Sequence, residues 1–159
     1  LFNMREVGGR LNVKQLTNQI RLLDDTYNAN VASVHAAIDL LATFSGNRIF
    51  VFGDMAELGD KARYYHEQVG EYAKSKGITA IYSLGVLSQF ASAVFDDNGF
   101  HFDSKEALID ILNQNVADEQ RNISILVKGS RSSKMELVVK AIEESPVGKS
   151  ERCRAHIAC

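Results

Sequence analysis

Three clusters of polar residues carry most of the chemistry that this sequence could do. They are Asp24-Asp25-Thr26-Tyr27-Asn28-Ala29-Asn30, Gly53-Asp54-Met55-Ala56-Glu57-Leu58-Gly59 and Lys128-Gly129-Ser130-Arg131. Carboxylates such as Asp25 and Asp54 can hold Mg²⁺ directly or through water. Lysine, arginine and the amides of a helix N-terminus bind phosphate. Tyrosine and asparagine suit a ribose or a base. Each cluster also has a plain reading. Asp24 and Asp25 could cap a helix and favour its positive end, Asp54 after a glycine could be a turn residue, and Lys128 to Arg131 could be a solvated loop that opens a helix. Together they point to a nucleotide or a phosphorylated ligand.

The elements that must position these clusters are short strands alternating with helices. The apolar runs Ile20 to Leu23, Arg48 to Phe52, Thr79 to Leu84 and Ile123 to Val127 read as strands covered on both faces. Arg10 to Leu16 reads as a further strand, paired with the first through the turn Thr17-Asn18-Gln19. Apolar stripes at helical spacing lie between them: Val34, Ile38 and Leu41; Tyr65, Val69 and Tyr72; Leu87, Phe90, Ala91 and Val94; Leu108, Ile111 and Leu112; then Met135, Val138, Val139 and Ile142. Asn28 and Asn30 are candidate N-caps for the first helix, and Asp103 with Glu106 has capping-box spacing. Gly46 and Gly77 stand where helices end. The alternation predicts an α/β fold, a mostly parallel sheet with helices on both faces. In such sheets ligands bind beyond the carboxyl ends of the strands, and the three clusters follow three of those ends.

Other signals are weaker. Gly148-Lys149-Ser150 looks like the end of a phosphate loop, but Glu143 stands where the motif needs glycine, and a helix rather than a strand precedes it. Cys153, His156 and Cys159 offer three zinc ligands where a structural site normally has four. His35 and His66 read as ordinary partly buried helix residues, and His101 carries no legible signal. If the edge touches ATP, the main triphosphate cradle must come from elsewhere.

The chain has 159 residues, 45% hydrophobic and 24% charged, which suits one soluble domain with a real core. A net charge of -2 gives no electrostatic reason to expect a nucleic acid or an anionic membrane as partner. No apolar run approaches the roughly 20 residues of a membrane span, and cysteines confined to the tail fit a reducing, cytoplasmic compartment. The opening Leu1 leads us to expect a piece of a longer protein, with residues 1–8 a linker remnant, 9–144 the domain and 145–159 a flexible tail.

The clusters also carry a resemblance. The Asp24 to Asn30 run, followed by Ser33 and Ala36-Ala37-Ile38-Asp39-Leu40-Leu41, is similar to the opening of the Mur ligase C-terminal domain. Val51 to Gly59, Tyr65 to Gly70 and Val127 to Arg131 resemble the branch of that family that adds D-alanyl-D-alanine. Val31 departs from it, since many relatives have proline there. The resemblance runs from about Gly9 to Ile142. It implies an ATP-dependent ligase that joins D-alanyl-D-alanine to UDP-N-acetylmuramoyl tripeptide through an acyl phosphate. It further implies two other domains, one for the UDP substrate and one for ATP with Mg²⁺. The sequence shows no obvious exposed apolar stripe, so a monomer is the expectation. By motif position the resemblance implies that Arg10, Asp25, Tyr27, Asn28 and Asn30 bind nucleotide. It also gives Asp54 and Lys128 catalytic roles, makes Ser130 and Arg131 the holders of the dipeptide, and assigns no metal ligand to this chain. Two alternatives are another ligase of the superfamily, such as a folylpolyglutamate synthase, and a non-catalytic α/β module that binds a nucleotide or a protein.

Overall fold

The computed structural model describes the backbone of residues 4–7 and residues 11–149 in full. The strands are β1 (Met4–Val7), β2 (Leu11–Gln15), β3 (Ile20–Asp25), β4 (Asn47–Gly53), β5 (Ala80–Leu84), β6 (Gly99–Phe102) and β7 (Ile123–Lys128). The helices are α1 (Val31–Ala42), α2 (Ala62–Ser75), α3 (Gln89–Phe95), α4 (Lys105–Val116) and α5 (Glu136–Glu144). They form one sheet in the order β1-β2-β3-β7-β4-β5-β6, antiparallel from β1 to β3 and parallel from β3 onward.

The alternation of side chains along each strand explains why both faces are covered. Leu23, Phe50, Phe52, Ile81 and Leu126 pack under α1, α2 and α3, while Ile20, Leu22, Ile49, Val51, Tyr82, Ile125 and Val127 pack under α4 and α5. The chain builds β3, β4, β5 and β6 outward with helices on one face, then returns along α4 to insert β7 between β3 and β4. The register makes the strand ends level. Asp25 lies beside Lys128, Phe52 beside Lys128, Gly53 beside Leu84, and Leu84 beside Phe102. The loops that follow therefore share one edge.

The four expected strands are present, and the hairpin between β2 and β3 is as read. Two strands were not foreseen, β1 and β6, each four residues long. Asn30 caps α1 in a reciprocal box with Ser33, an arrangement worth about 1 kcal/mol. The cap of α4 is a correction. Ser104, not Asp103, accepts the Ala107 amide at 3.1 Å, because the register that buries Leu108 and Leu112 starts the helix at Lys105. Gly77 follows the C-cap of α2 at φ +75. The tail expected from Ser145 begins with a seated turn, Pro146–Gly148, whose Val147 is buried and donates its amide to Asn113 at 2.8 Å. Among the described residues, no helix is long and apolar enough to cross a membrane.

Candidate functional site

Ligand crevices in α/β sheets open where neighbouring connections leave on opposite faces. Here that point is β7, whose α5 leaves on one face while α1 and α2 leave β3 and β4 on the other. The crevice is filled by the protein itself. A Cβ built on Gly53 would stand 2.6 Å from the Met135 side chain, and one on Gly129 would stand 2.5 Å from Ser133 Oγ. Glycine at both positions lets the turn Arg131–Ser133 and Met135 close over the strand ends.

The residues singled out by sequence divide into two groups. The first faces inward. Lys128 is 1% exposed. Its Nζ donates to Asp25 Oδ2 at 2.7 Å and to the Asn28 carbonyl at 3.0 Å. Ser130 is also buried. Its Oγ accepts the Ala56 amide at 2.7 Å and donates to the Ala29 carbonyl at 3.4 Å, while its own amide donates to the Asp54 carbonyl at 2.9 Å. Ser130 thus ties the loops after β3, β4 and β7 together. Asp54 Oδ1 accepts the amides of Leu87 and Ser88 at 3.1 and 2.7 Å, which fixes the loop after β5 to the same frame. Asn30 is occupied as the cap of α1. Lys128 to Ser130 is therefore no solvated loop.

The second group faces outward. Tyr27 is 42% exposed, and Asn28 and Arg131 are exposed as well. The Arg131 guanidinium lies over the Tyr27 ring, 4.8 Å from its centroid, a cation–π contact that joins the loops after β3 and β7 at the surface. Arg10 lies outside the described residues, as do Ser150, Cys153, His156 and Cys159. Beside the outward group a cleft of about 490 Å³ opens over the ends of β4, β5 and β6, lined among others by Asp54, Val86, His101, Ser132 and Ser133. His101 belongs to this edge because β6 ends there, and its Nδ1 lies 3.0 Å from the buried Ser83 hydroxyl. Among the described residues, no group of three His, Cys, Asp or Glu converges to hold a metal ion.

Sequence reasoning also missed the part played by His66. The side chain is fully buried, with Nε2 accepting the Met55 amide at 3.0 Å and Nδ1 placed 2.7 Å from the Ala62 carbonyl. One nitrogen must accept and the other must donate, so the neutral Nδ1–H tautomer is the form that fits. Burial lowers its pKa, against the opposing pull of the Ala62 carbonyl and the Asp54 charge. A depressed histidine contributes stability that is complete above the unfolded value, about 6.5, and is lost as pH falls through the lower folded value. His35, also lowered by burial, acts in the same direction. Glu119, held near about 2 chiefly by its hydrogen bond to Arg121, weakens only in much stronger acid. The urea midpoint is expected to be level above about pH 7 and to decline below about 6.5. In His66→Gln that decline should shrink, and an identical acid limb would assign it to other groups.

Two backbone positions complete the picture. Glu57 (φ 60) and Lys134 (φ 55) are the non-glycine residues with left-handed backbone among the described residues, and the other four such positions are Gly46, Gly59, Gly77 and Gly85. Left-handed backbone costs an L-residue roughly 1–2 kcal/mol.

Residues 9–131 match the family described as "Mur ligase, glutamate ligase domain". The chain is 49% identical over 145 residues to the UDP-N-acetylmuramoyl-tripeptide--D-alanyl-D-alanine ligase of Escherichia coli (strain K12), covering 91% of this chain and 32% of that protein. Among solved structures it is similar to MurF from Acinetobacter baumannii, with TM-score 0.80, 28% identity, and coverage of 89% of this chain and 31% of the other. It is also similar to a MurF ligase from Thermotoga maritima in complex with ADP, with TM-score 0.73, 26% identity, and coverage of 88% and 31%. The chain spans about a third of the length of these relatives.

Proposed function

The chain belongs to the Mur ligase family, and from that premise we propose that it serves as the C-terminal domain of the ligase that adds D-alanyl-D-alanine to UDP-N-acetylmuramoyl tripeptide. The observation that carries this reading is the composite edge. An inward frame of Asp25, Lys128, Ser130 and Asp54 holds Tyr27, Asn28 and Arg131 outward beside an open cleft.

The reaction runs in two steps. The terminal carboxylate of the tripeptide attacks the γ-phosphorus of ATP and expels ADP, leaving an acyl phosphate. The amine of D-alanyl-D-alanine then attacks the acyl carbon, loses a proton and expels phosphate as the amide forms. Phosphoryl transfer depends on positioning and charge neutralisation more than on covalent help. The acyl phosphate must be shielded from water, which a domain closing over the site provides. The sequence has no phosphate loop of its own, so the triphosphate cradle and Mg²⁺ are assigned to the remainder of the enzyme. In this reading Tyr27 and Asn28 contact the nucleotide, Arg131 meets the carboxylate of the dipeptide, and Asp25, Asn30, Asp54, Lys128 and Ser130 position them. The enzyme works as a cytoplasmic monomer, where ATP and UDP-linked precursors are available.

Two substitutions in the full-length enzyme separate the outward roles. Asn28→Ala should raise the KM for ATP and leave that for the dipeptide near its starting value. Arg131→Ala should raise the KM for the dipeptide by roughly tenfold, the scale of one charge-assisted hydrogen bond. Unchanged constants in both variants would remove the outward group from the site.

A further inference from the structure

We propose that the amino edge of the sheet carries a second binding site, a pocket between α4 and the starts of β4, β5 and β6 that takes a flat, uncharged ring bearing an N–H donor. The pocket follows from the fold. Helix α4 runs back across the sheet and ends at Val116, and the chain then turns away toward β7. Ala80, paired beside Ile49, is the small residue in the row left uncovered. A cavity of about 270 Å³ opens there, over Ile49, Ala80, Tyr82, Phe100 and Val116. Leu84, four residues further along β5, lines the cleft at the other edge, so roughly 13 Å of strand separates the two.

One buried atom calls for a ligand. Asn47 lines the pocket and is 9% exposed. Its Nδ2 donates to Glu119 Oε1 at 3.0 Å, while its Oδ1 is buried with no hydrogen-bond partner among the described residues. The amide cannot be turned round to pair that oxygen. Glu119 is an anion, held near about 2 chiefly by its hydrogen bond to Arg121, and a carboxylate needs the donor end of the amide. A buried polar atom left unpaired is costly, and folded proteins keep few of them. What Oδ1 lacks is a donor. The rest of the lining selects the form of that donor. None of the residues that line the pocket is charged, and Glu119 beside it already holds Arg121 at 2.9 Å. An ionic ligand would therefore lose its hydration without a partner. The Tyr82 and Phe100 rings, 5.2 Å apart between centroids, form an aromatic wall that suits another flat ring. A ring of the indole type meets each condition, with one N–H, no charge and no acceptor to strand. The volume lies just below the roughly 300 Å³ at which sites for drug-sized ligands begin, so one ring system is the expected load.

The test is titration calorimetry on the full-length enzyme with indole as the probe. ADP and UDP-N-acetylmuramoyl tripeptide are kept saturating, which fills the sites of the ligase reaction. One indole per chain is expected, with N-methylindole weaker by roughly tenfold or more, the scale of one hydrogen bond. Asn47→Leu should bind the two compounds alike, because the acceptor is gone. Ala80→Val fills the floor and should weaken indole by roughly tenfold or more. Urea midpoints near that of the wild type show that the variants are folded, and the wild-type comparison of the two indoles needs no variant. No saturable binding would leave the oxygen to water and overturn the proposal. N-methylindole binding the wild type as tightly as indole would also overturn it, as would a preference for indole that survives in Asn47→Leu. Tighter binding of butylammonium than of indole would make the pocket a cation site and overturn it too.

Discussion

Lys128→Met is expected to destabilise the domain by about 3–5 kcal/mol, the cost of leaving a buried charge without its partner. Lys128 is 1% exposed, and Asp25, at 9%, has its Oδ2 2.7 Å from the ammonium. Methionine fills most of the lysine stem but leaves the Asp25 carboxylate uncompensated and the Asn28 carbonyl without its donor. A domain of this size has roughly 5–15 kcal/mol in hand, so the variant should unfold at far lower urea. The double variant Lys128→Met with Asp25→Asn removes both charges and should recover much of the loss. In the full-length enzyme the KM for ATP should also rise, because the loop that carries Tyr27 and Asn28 loses its tether. A loss below about 1 kcal/mol, the range of solvated pairs, would mean that the pair is open to water and frames nothing.

Gly85→Ala is expected to cost roughly 2–5 kcal/mol, combining backbone strain with a steric clash. Gly85 has φ +134, and a Cβ built there would stand 2.5 Å from Asp54 Oδ1 and 2.8 Å from Asp54 Cγ. That oxygen accepts the Leu87 and Ser88 amides. Moving it would detach the loop after β5 and distort the floor of the cleft. Asp54→Asn keeps an acceptor oxygen without the clash, so its stability loss should be much smaller in urea unfolding. Equal losses in the two variants would show that the Asp54 charge matters more than its position.

The frame of the fold was legible because β3, β4, β5 and β7 are apolar on both faces and end in recognisable clusters. Strand β6 was not, because it is four residues at a sheet edge, begins with Gly99 and contains the exposed His101. Strand β1, equally short, lies at the opposite edge. Ser104 and Asp103 are both good caps, and only the packing of Leu108 and Leu112 decides between them. For the candidate site, sequence put the three polar clusters at the carboxyl edge of the sheet, where they lie, but left the direction of their side chains open. Whether Lys128 faces solvent or Asp25 depends on a strand register that joins positions 103 apart. His66 gave no warning of its role, since its partner is a backbone amide in another loop. The left-handed backbone at Glu57 and Lys134 is likewise a property of folded loops, not of composition.

The most direct test of the account is phosphate release by the full-length protein supplied with ATP, Mg²⁺ and UDP-N-acetylmuramoyl tripeptide, with D-alanyl-D-alanine or single amino acids offered in parallel. Release is expected to depend on the dipeptide and to find no support from any single amino acid. Release driven by a single amino acid, or none with any acceptor, would contradict it.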